Sequence, residues 1–369
     1  MTRRSKKVVF WSLGVLVTGL AAAAGGLWYL MQQPFYRPGM VRAVVAAWPD
    51  TLPVARGAEA SAPWTVAPGV RIHHFASGAG RNVLVIHGGP GIPFREPMAG
   101  LEPLTTRYRF HYYDQRGCGR STRPLERPHG RSFYDRLRSV EGDLGLGAQI
   151  ADIERIRRIL GDRQLLLVGH SFGAFLAALY AAELPEHVAG LVLVAPAEVL
   201  VMPAPHGELF GSVRDLIPKT LRPEYEAFLK EYLDMGRLFE LSDHEVSALN
   251  ARFIRFYVAA ARARGFHVEE GDAASDIGGF MVQAQYISMG RRHDYRRALR
   301  AAQTPALVIH GERDLQPEEA SRDYVDALPQ ARLFVMRGSG HVPFADQPER
   351  FAEVVGQFLD EVSGPTGPR

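Results

Sequence analysis

The chain of 369 residues contains a single cysteine, Cys118. Disulfides within the chain and thiolate metal clusters are therefore excluded. The body has no Lys/Arg-rich block with interleaved aromatics, so nucleic-acid binding finds no support despite a net charge of +3. No Gly-x-x-x-x-Gly-Lys-Ser/Thr occurs, and no Gly-x-Gly-x-x-Gly opens a helix, which removes the common phosphate-cradling loops. His73, His74 and His111 lack metal-ligand spacing. No cofactor is expected, so the chemistry has to come from side chains and backbone. At 46% hydrophobic and 22% charged, the composition is that of a globular protein with length for one large domain or two smaller ones.

The N-terminus carries one long apolar run. Arg3, Arg4, Lys6 and Lys7 precede Val8 to Met31, a stretch without charge. A hydrocarbon core ~30 Å thick needs about 20 apolar residues as helix, so this run is long enough to span one. The basic flank would stay in the cytoplasm, with the body on the other side. The competing reading is a signal sequence cut near Ala21 to Ala24, followed by secretion. An uncleaved membrane anchor is favoured, because "GLWYLM" continues past the alanines. Pro34, Pro38, Pro49, Pro53 and Pro63 then mark a linker, with a short helix around Val41 to Ala47.

Beyond Ala67, strand and helix signals alternate. "RIHHFASG", "NVLVIHG", "YRFHYYDQRG", "QLLLVGHS", "VAGLVLVAP", "PALVIHGERD" and "ARLFVMRGSGH" read as strands, several of them entirely apolar as in a buried parallel sheet. "LGAQIADIERIRRILG" carries Ile150, Ile153, Ile156 and Leu160 on one face and stops at Gly161. This rhythm predicts an α/β fold with a doubly wound, mostly parallel sheet. From Ala197 to Gln303 only helical patterns appear, among them a helix opened by a capping box of Ser242 and Glu245. Such a block between strands reads as an inserted helical cap. Arg120 to Gly142 reads as a long surface loop. The expected organisation is anchor or signal sequence over 1–33, linker over 34–66, core over 67–196 and 304–362, cap over 197–303, and a tail over 363–369.

Between an apolar strand and a helix stands "GHSFG", Gly169 to Gly173. Gly-x-Ser-x-Gly at such a junction is the nucleophile elbow, in which small residues let a strained turn expose the serine. A serine hydroxyl is a weak nucleophile and needs a base, which in turn needs an orienting acid. In this arrangement both follow the serine in the chain, at the ends of late strands. Asp314 in "HGERD" is the candidate acid, with Glu312 as the poorer alternative on the same loop, and His341 in "GSGH" is the candidate base. An acyl-transfer intermediate also needs two backbone donors for its oxyanion. The amide after the serine, Phe172, is one; "HGGPG" supplies the other. Pro90 has no N–H, which leaves Gly89 as first choice and Gly88 as second. His87 and His170 flank the site as local hydrogen-bonding residues. In "DQRGCGRS", Asp114 and Arg116 read as loop ties, and Cys118 as a small buried residue.

"HGGPG", "DQRGCGRS", "ADIERIRRIL", "GHSFG", "HGERD" and "GSGH" together resemble the proline iminopeptidase branch of the α/β-hydrolase superfamily, over roughly Ala67 to Leu359 apart from much of the cap. The resemblance implies an α/β-hydrolase fold, a triad of Ser171, Asp314 and His341, and release of an N-terminal residue whose ammonium is held by acidic cap residues. Two departures stand out. The elbow "GHSFG" is closer to general esterases and lipases. Gln283 in "MVQAQYI" falls where the family carries an amine-binding glutamate, while Glu208, Glu224, Glu226 and Glu240 remain elsewhere in the cap. The expected function is thus a serine hydrolase acting on a small peptide or ester, with carboxylesterase or lipase action on acyl esters as the alternative.

Overall fold

The computed structural model describes Gly25, Tyr29 and residues 32–48, 62–266 and 276–364. The expected anchor, Val8 to Met31, lies almost wholly outside these residues. No helix among them is long and apolar enough to cross a membrane.

In chain order, α1 is Met40–Ala46, β1 Trp64–Ala67, β2 Val70–Ile72, β3 His74–Gly78, β4 Arg81–Ile86 and β5 Tyr108–Tyr113. Then come α2 Phe133–Leu144, α3 Leu146–Leu160, β6 Leu165–His170, α4 Phe172–Glu183 and β7 Val188–Val194. The cap region holds β8 Val201–Met202, α5 Leu209–Leu216, α6 Arg222–Tyr232, α7 Met235–Leu238, α8 Asp243–Ala263, α9 Phe280–Met289, β9 His293–Asp294 and α10 Arg296–Leu299. The chain closes with β10 Ala306–Gly311, α11 Glu318–Ala327, β11 Ala331–Met336, α12 Pro343–Asp346 and α13 Pro348–Ser363.

The main sheet has seven strands in the order β11-β10-β7-β6-β4-β5-β3. Only β3 runs antiparallel, against β5. The central strands β6 and β7 are apolar because helices cover both their faces. On one side pack α1, α3 and α4; Ile150, Ile153 and Ile156 of α3 are fully buried there, each worth about 1.5–3 kcal/mol relative to exposure. On the other side lies α13 with Phe351, Val355 and Leu359. A separate apolar cluster holds the cap together, built from α5, α6, α8 and α9. Gly161 at φ 76° ends α3, and the Ser242/Glu245 capping box opens α8 as its sequence predicts.

Four expectations change. The expected linker carries the short helix read around Val41 to Ala47, as α1, and packs over its described part: Tyr36, Val41 and Val45 are buried in the core, because Val41 and Val45 form an i,i+4 apolar stripe on α1. Glu183 anchors this segment. Its carboxylate accepts from Tyr36 Oη at 2.8 Å, Gly39 N at 2.8 Å and Arg42 N at 2.9 Å. The prolines punctuate the strap without preventing its docking. The supposed loop of Arg120 to Gly142 becomes α2 from Phe133 onward, opened by a Ser132/Asp135 capping box. "RIHHFASG" splits at His73 into β2, which pairs with β1, and β3, which joins the main sheet. The cap is not purely helical, since β8 and β9 pair antiparallel.

Candidate active site

Ser171 stands between β6 and α4 at φ 54° and ψ −119°. A non-glycine residue there costs on the order of 1–3 kcal/mol and persists only where its surroundings hold it. They do so here. Ser171 N donates to the Val194 carbonyl at 2.8 Å, and Ser171 O accepts from Ala174 N at 3.0 Å and Ala197 N at 3.2 Å. The turn also needs its two glycines. A Cβ on Gly169 would lie 2.5 Å from Gly173 O, and one on Gly173 would collide with the Ile86 carbonyl.

The "HGGPG" loop leaves β4 and abuts this turn. A Cβ on Gly88 would lie 2.7 Å from Ser171 Cβ and 3.4 Å from Phe172 N. Gly89 has φ 114°, a conformation that glycine adopts readily and other residues rarely. The peptide between Gly88 and Gly89 is held from its carbonyl side. Gly88 O accepts from Ile92 N at 3.1 Å and from His87 Nδ1 at 2.9 Å. Gln115 N donates to His87 Nε2 at 3.1 Å, so the ring is neutral with its proton on Nδ1. Burial pushes the His87 pKa down to about 4, which keeps that tautomer at neutral pH. With the carbonyl fixed, the Gly89 N–H across the same planar peptide is fixed too. His87 and Gln115 therefore fix the direction of the Gly89 N–H, the donor that the sequence reading expects. His87→Ala is expected to lower kcat about tenfold or more while KM moves less than about threefold, since a loosened donor costs less than the 10²–10³ of a deleted one. Steady-state kinetics on the folded variant check this; an unchanged kcat would detach His87 from the donor.

Asp314 follows β10 and His341 follows β11, and they meet. His341 Nδ1 lies 2.8 Å from Asp314 Oδ2, and Gln316 N donates to Asp314 Oδ1 at 3.1 Å. Burial alone would raise the Asp314 pKa; the charge and hydrogen bond of His341 and the Gln316 amide outweigh it and hold the carboxyl below its ordinary range. Glu312 points elsewhere and accepts from Gly338 N at 2.9 Å. His170, beside the serine, approaches the His341 carbonyl with Nε2 at 2.8 Å, with the two rings 4.9 Å apart. Burial, then the neighbouring His341, push its pKa down to about 3. His170 is thus a neutral tie between the serine turn and the histidine loop. Among the described residues the Ser171 hydroxyl forms no hydrogen bond to His341; in unliganded hydrolases that contact is often long and tightens on substrate.

The loop ties behave as read. Arg116 grips Asp152 through Nε at 2.6 Å and Nη2 at 2.5 Å, and Asp114 accepts from Arg120 N at 2.8 Å. Cys118 is buried, which pushes its thiol well above the ordinary value. In the cap, Gln283 is buried and donates to Asn250 Oδ1 at 2.9 Å, a bond between α9 and α8. Glu224 and Glu226 are exposed, and Glu240 pairs with Arg136 at 2.7 Å.

Three residues at the site escaped the sequence reading. Gln316 braces Asp314 as above. Tyr257 of α8 sets its ring 6.0 Å from that of His341, in a stretch that reads only as an apolar helix face. Glu198, four residues past the end of β7, is buried, and burial followed by the nearby Asp314 and Glu208 carboxylates pushes its pKa up to about 8. An acid placed just beyond a strand end is the one signal that would have flagged it. The unfolded carboxyl ionises near 4.5, the folded one near 8, so the folded chain keeps a proton that the unfolded chain has lost between them. Stability from this group therefore falls as pH rises through that window and is level above it. Glu198→Gln is expected to match wild type near about pH 5 and to melt higher by on the order of 5 °C at about pH 9. Melting curves at both pH values check it, and an equal gap at both would refute the shift.

The mostly parallel sheet flanked by helices agrees with the family match. A model of the alpha/beta hydrolase fold family covers residues 81–348. The chain belongs to the α/β-hydrolase family. Within it, this hydrolase is similar to proline iminopeptidases. The enzyme from Heyndrickxia coagulans is 26% identical over 292 residues, covering 78% of this chain and 93% of that protein. The 2-hydroxymuconate semialdehyde hydrolase of Pseudomonas putida is 29% identical over 299 residues, covering 80% and 93%. Among solved structures, a membrane phospholipase A described as a bacterial virulence factor is 25% identical with a TM-score of 0.54, covering 96% of this chain and 99% of that one.

Proposed function

We propose that this hydrolase cleaves a carboxylic ester or amide through an acyl-enzyme. Ser171 Oγ attacks the carbonyl, His341 takes the proton and passes it to the leaving group, and Asp314 holds the imidazole with its free nitrogen toward the serine. The amides of Gly89 and Phe172 receive the oxyanion, and water then releases the acyl group. The observation that carries this reading is the 2.8 Å contact between His341 and Asp314 on the same edge of the sheet as the strained Ser171 turn.

For the substrate, release of an N-terminal residue draws support from "HGGPG", "DQRGCGRS" and the iminopeptidase relatives. Acyl-ester hydrolysis is the second reading. It draws on the phospholipase match, whose coverage reaches into the segment ahead of residue 81, and on the neutral Gln283 tied to Asn250. We further propose that Val8 to Met31 anchors the protein in a membrane with the catalytic domain on the non-cytoplasmic side. The test is turnover of a prolyl arylamide against short acyl esters, beside labelling by a fluorophosphonate probe. Ester turnover alone removes the aminopeptidase reading, and a folded protein that takes no label removes the serine mechanism.

A further inference from the structure

The folded domain takes up from the apolar run without slack. Gln32 follows Met31 directly, and its carbonyl accepts from Arg291 N at 3.0 Å and Arg292 N at 3.1 Å. Tyr36 N donates to the Ser288 carbonyl at 3.0 Å, and the strap passes so close to Gly290 that a Cβ there would lie 2.7 Å from Gln33 C. A lipid surface crossed by Val8 to Met31 would therefore meet the domain at this junction, with no loose tether between them. Exposed apolar side chains gather here. Phe35 stacks on Tyr134 with ring centroids 6.0 Å apart, and Tyr134 is 56% exposed. Phe133 beside it is exposed too, as is Tyr29, whose carbonyl accepts from Gln32 N at 3.1 Å. On α1, Met40 and Val44 form a second i,i+4 pair, exposed where Val41 and Val45 are buried. These five are among the eight large apolar side chains exposed in the described residues, so they are a cluster and not scatter.

Charge of one sign surrounds the cluster. Arg37, Arg131, Arg291 and Arg292 are exposed and form no ion pair among the described residues. Acids beside them are bonded within the protein: Asp135 accepts from Ser132 N at 3.0 Å, Glu141 from Ser288 Oγ at 3.0 Å, and Glu186 pairs with Arg42 at 2.8 Å. A second copy meeting this face through the same residues would set arginine against arginine. A purely apolar partner would leave the guanidiniums unmatched. A phospholipid surface offers both chemistries, since aromatic rings settle at the headgroup level and guanidiniums bind phosphate. We infer that Phe133, Tyr134 and the outer face of α1, ringed by these arginines, rest on the phosphate headgroups of a bilayer. The inference rests on the membrane-anchor reading of Val8 to Met31. It gives that anchor a footprint in the folded domain.

The test uses full-length protein in vesicles of phosphatidylcholine and phosphatidylglycerol. An NBD dye is placed on Tyr134→Cys or, as the reference, on Glu353→Cys of α13, across the sheet from α1. Cys118 is buried and stays unlabelled. Nitroxides fixed at the headgroup or along the acyl chain read the depth of the dye. At position 134 it is expected about 5–10 Å into the headgroup boundary, and at position 353 in water. Arg291→Glu together with Arg292→Glu is expected to lower quenching at 134 by about twofold or more while the protein stays with the vesicles. Equal exposure of the two dyes would overturn the inference. So would protection at 134 that grows with the protein-to-lipid ratio, which marks a second copy on this face. If the protein resists alkaline extraction but the dye at 134 lies in water, the footprint alone is wrong. If alkaline carbonate strips the protein from the vesicles, the anchor reading fails and takes the inference with it.

Discussion

Ser171→Ala is expected to abolish turnover, lowering kcat on the order of 10⁶-fold, and to remove fluorophosphonate labelling while the protein stays folded. Both halves of this expectation follow from the turn. The strained backbone at Ser171 is held by main-chain bonds to Val194, Ala174 and Ala197, which alanine keeps. The hydroxyl has no hydrogen-bond partner among the described residues, so its loss leaves no buried group unpaired and the melting temperature should stay within a degree or two. On the proposed mechanism the fall in rate is large because a nucleophile and its base act as a unit, and the proposed donors at Gly89 and Phe172 would have no covalent step to assist. Residual catalysis over water would measure what those donors contribute alone. Labelling that survives in Ser171→Ala would place the nucleophile elsewhere.

How much of this was legible beforehand depends on how local each feature is. Gly169, Ser171 and Gly173 occupy one strand-turn-helix unit, so spacing and flanking pattern suffice to find them. Asp314 and His341 are distant in sequence, yet each lies in the loop that follows a late strand, and chain order links them to the serine. His87 was recognisable as a flanking residue. Its task was not, because the tautomer that lets it hold the Gly88 carbonyl is set by Gln115 from another strand end. Glu198 carried only the weak signal of an acid just past a strand end, and Gln316 none: the bond between them exists only because β7 and β10 lie side by side. In the segment over 32–48 the short helix was legible and is found at Met40–Ala46, whereas its docking was not, because that depends on Glu183 far along the chain.

The sharpest test of such a pairing is Asp314→Asn, expected to lower kcat on the order of 10⁴-fold with little change in KM. The substitution keeps size and shape, so the argument turns on protons. Asp314 is acceptor-only: Oδ2 takes the His341 Nδ1 proton, and Oδ1 takes the Gln316 amide. Asparagine offers one acceptor and one donor to two donors. If its NH₂ faces His341, the ring must carry its proton on the nitrogen that should receive one from Ser171, and the base is disabled. If the amide flips to keep the His341 bond, its NH₂ confronts the Gln316 N–H in a buried setting, at a cost of about 1–3 kcal/mol. Either arrangement removes the carboxylate that, in the proposed mechanism, would stabilise the imidazolium formed during attack. The pH dependence has a definite sign. Because the folded Asp314 pKa lies below its ordinary value, the carboxylate contributes stability above that value and loses it as pH falls through the folded pKa. Asp314→Asn should therefore be less stable than wild type at neutral pH, with the gap closing in acid. Glu312→Gln serves as the control, since Glu312 bonds Gly338 N and not the imidazole, and should keep kcat within about twofold. Equal losses from the two substitutions would mean that the acid of this site is not Asp314 alone.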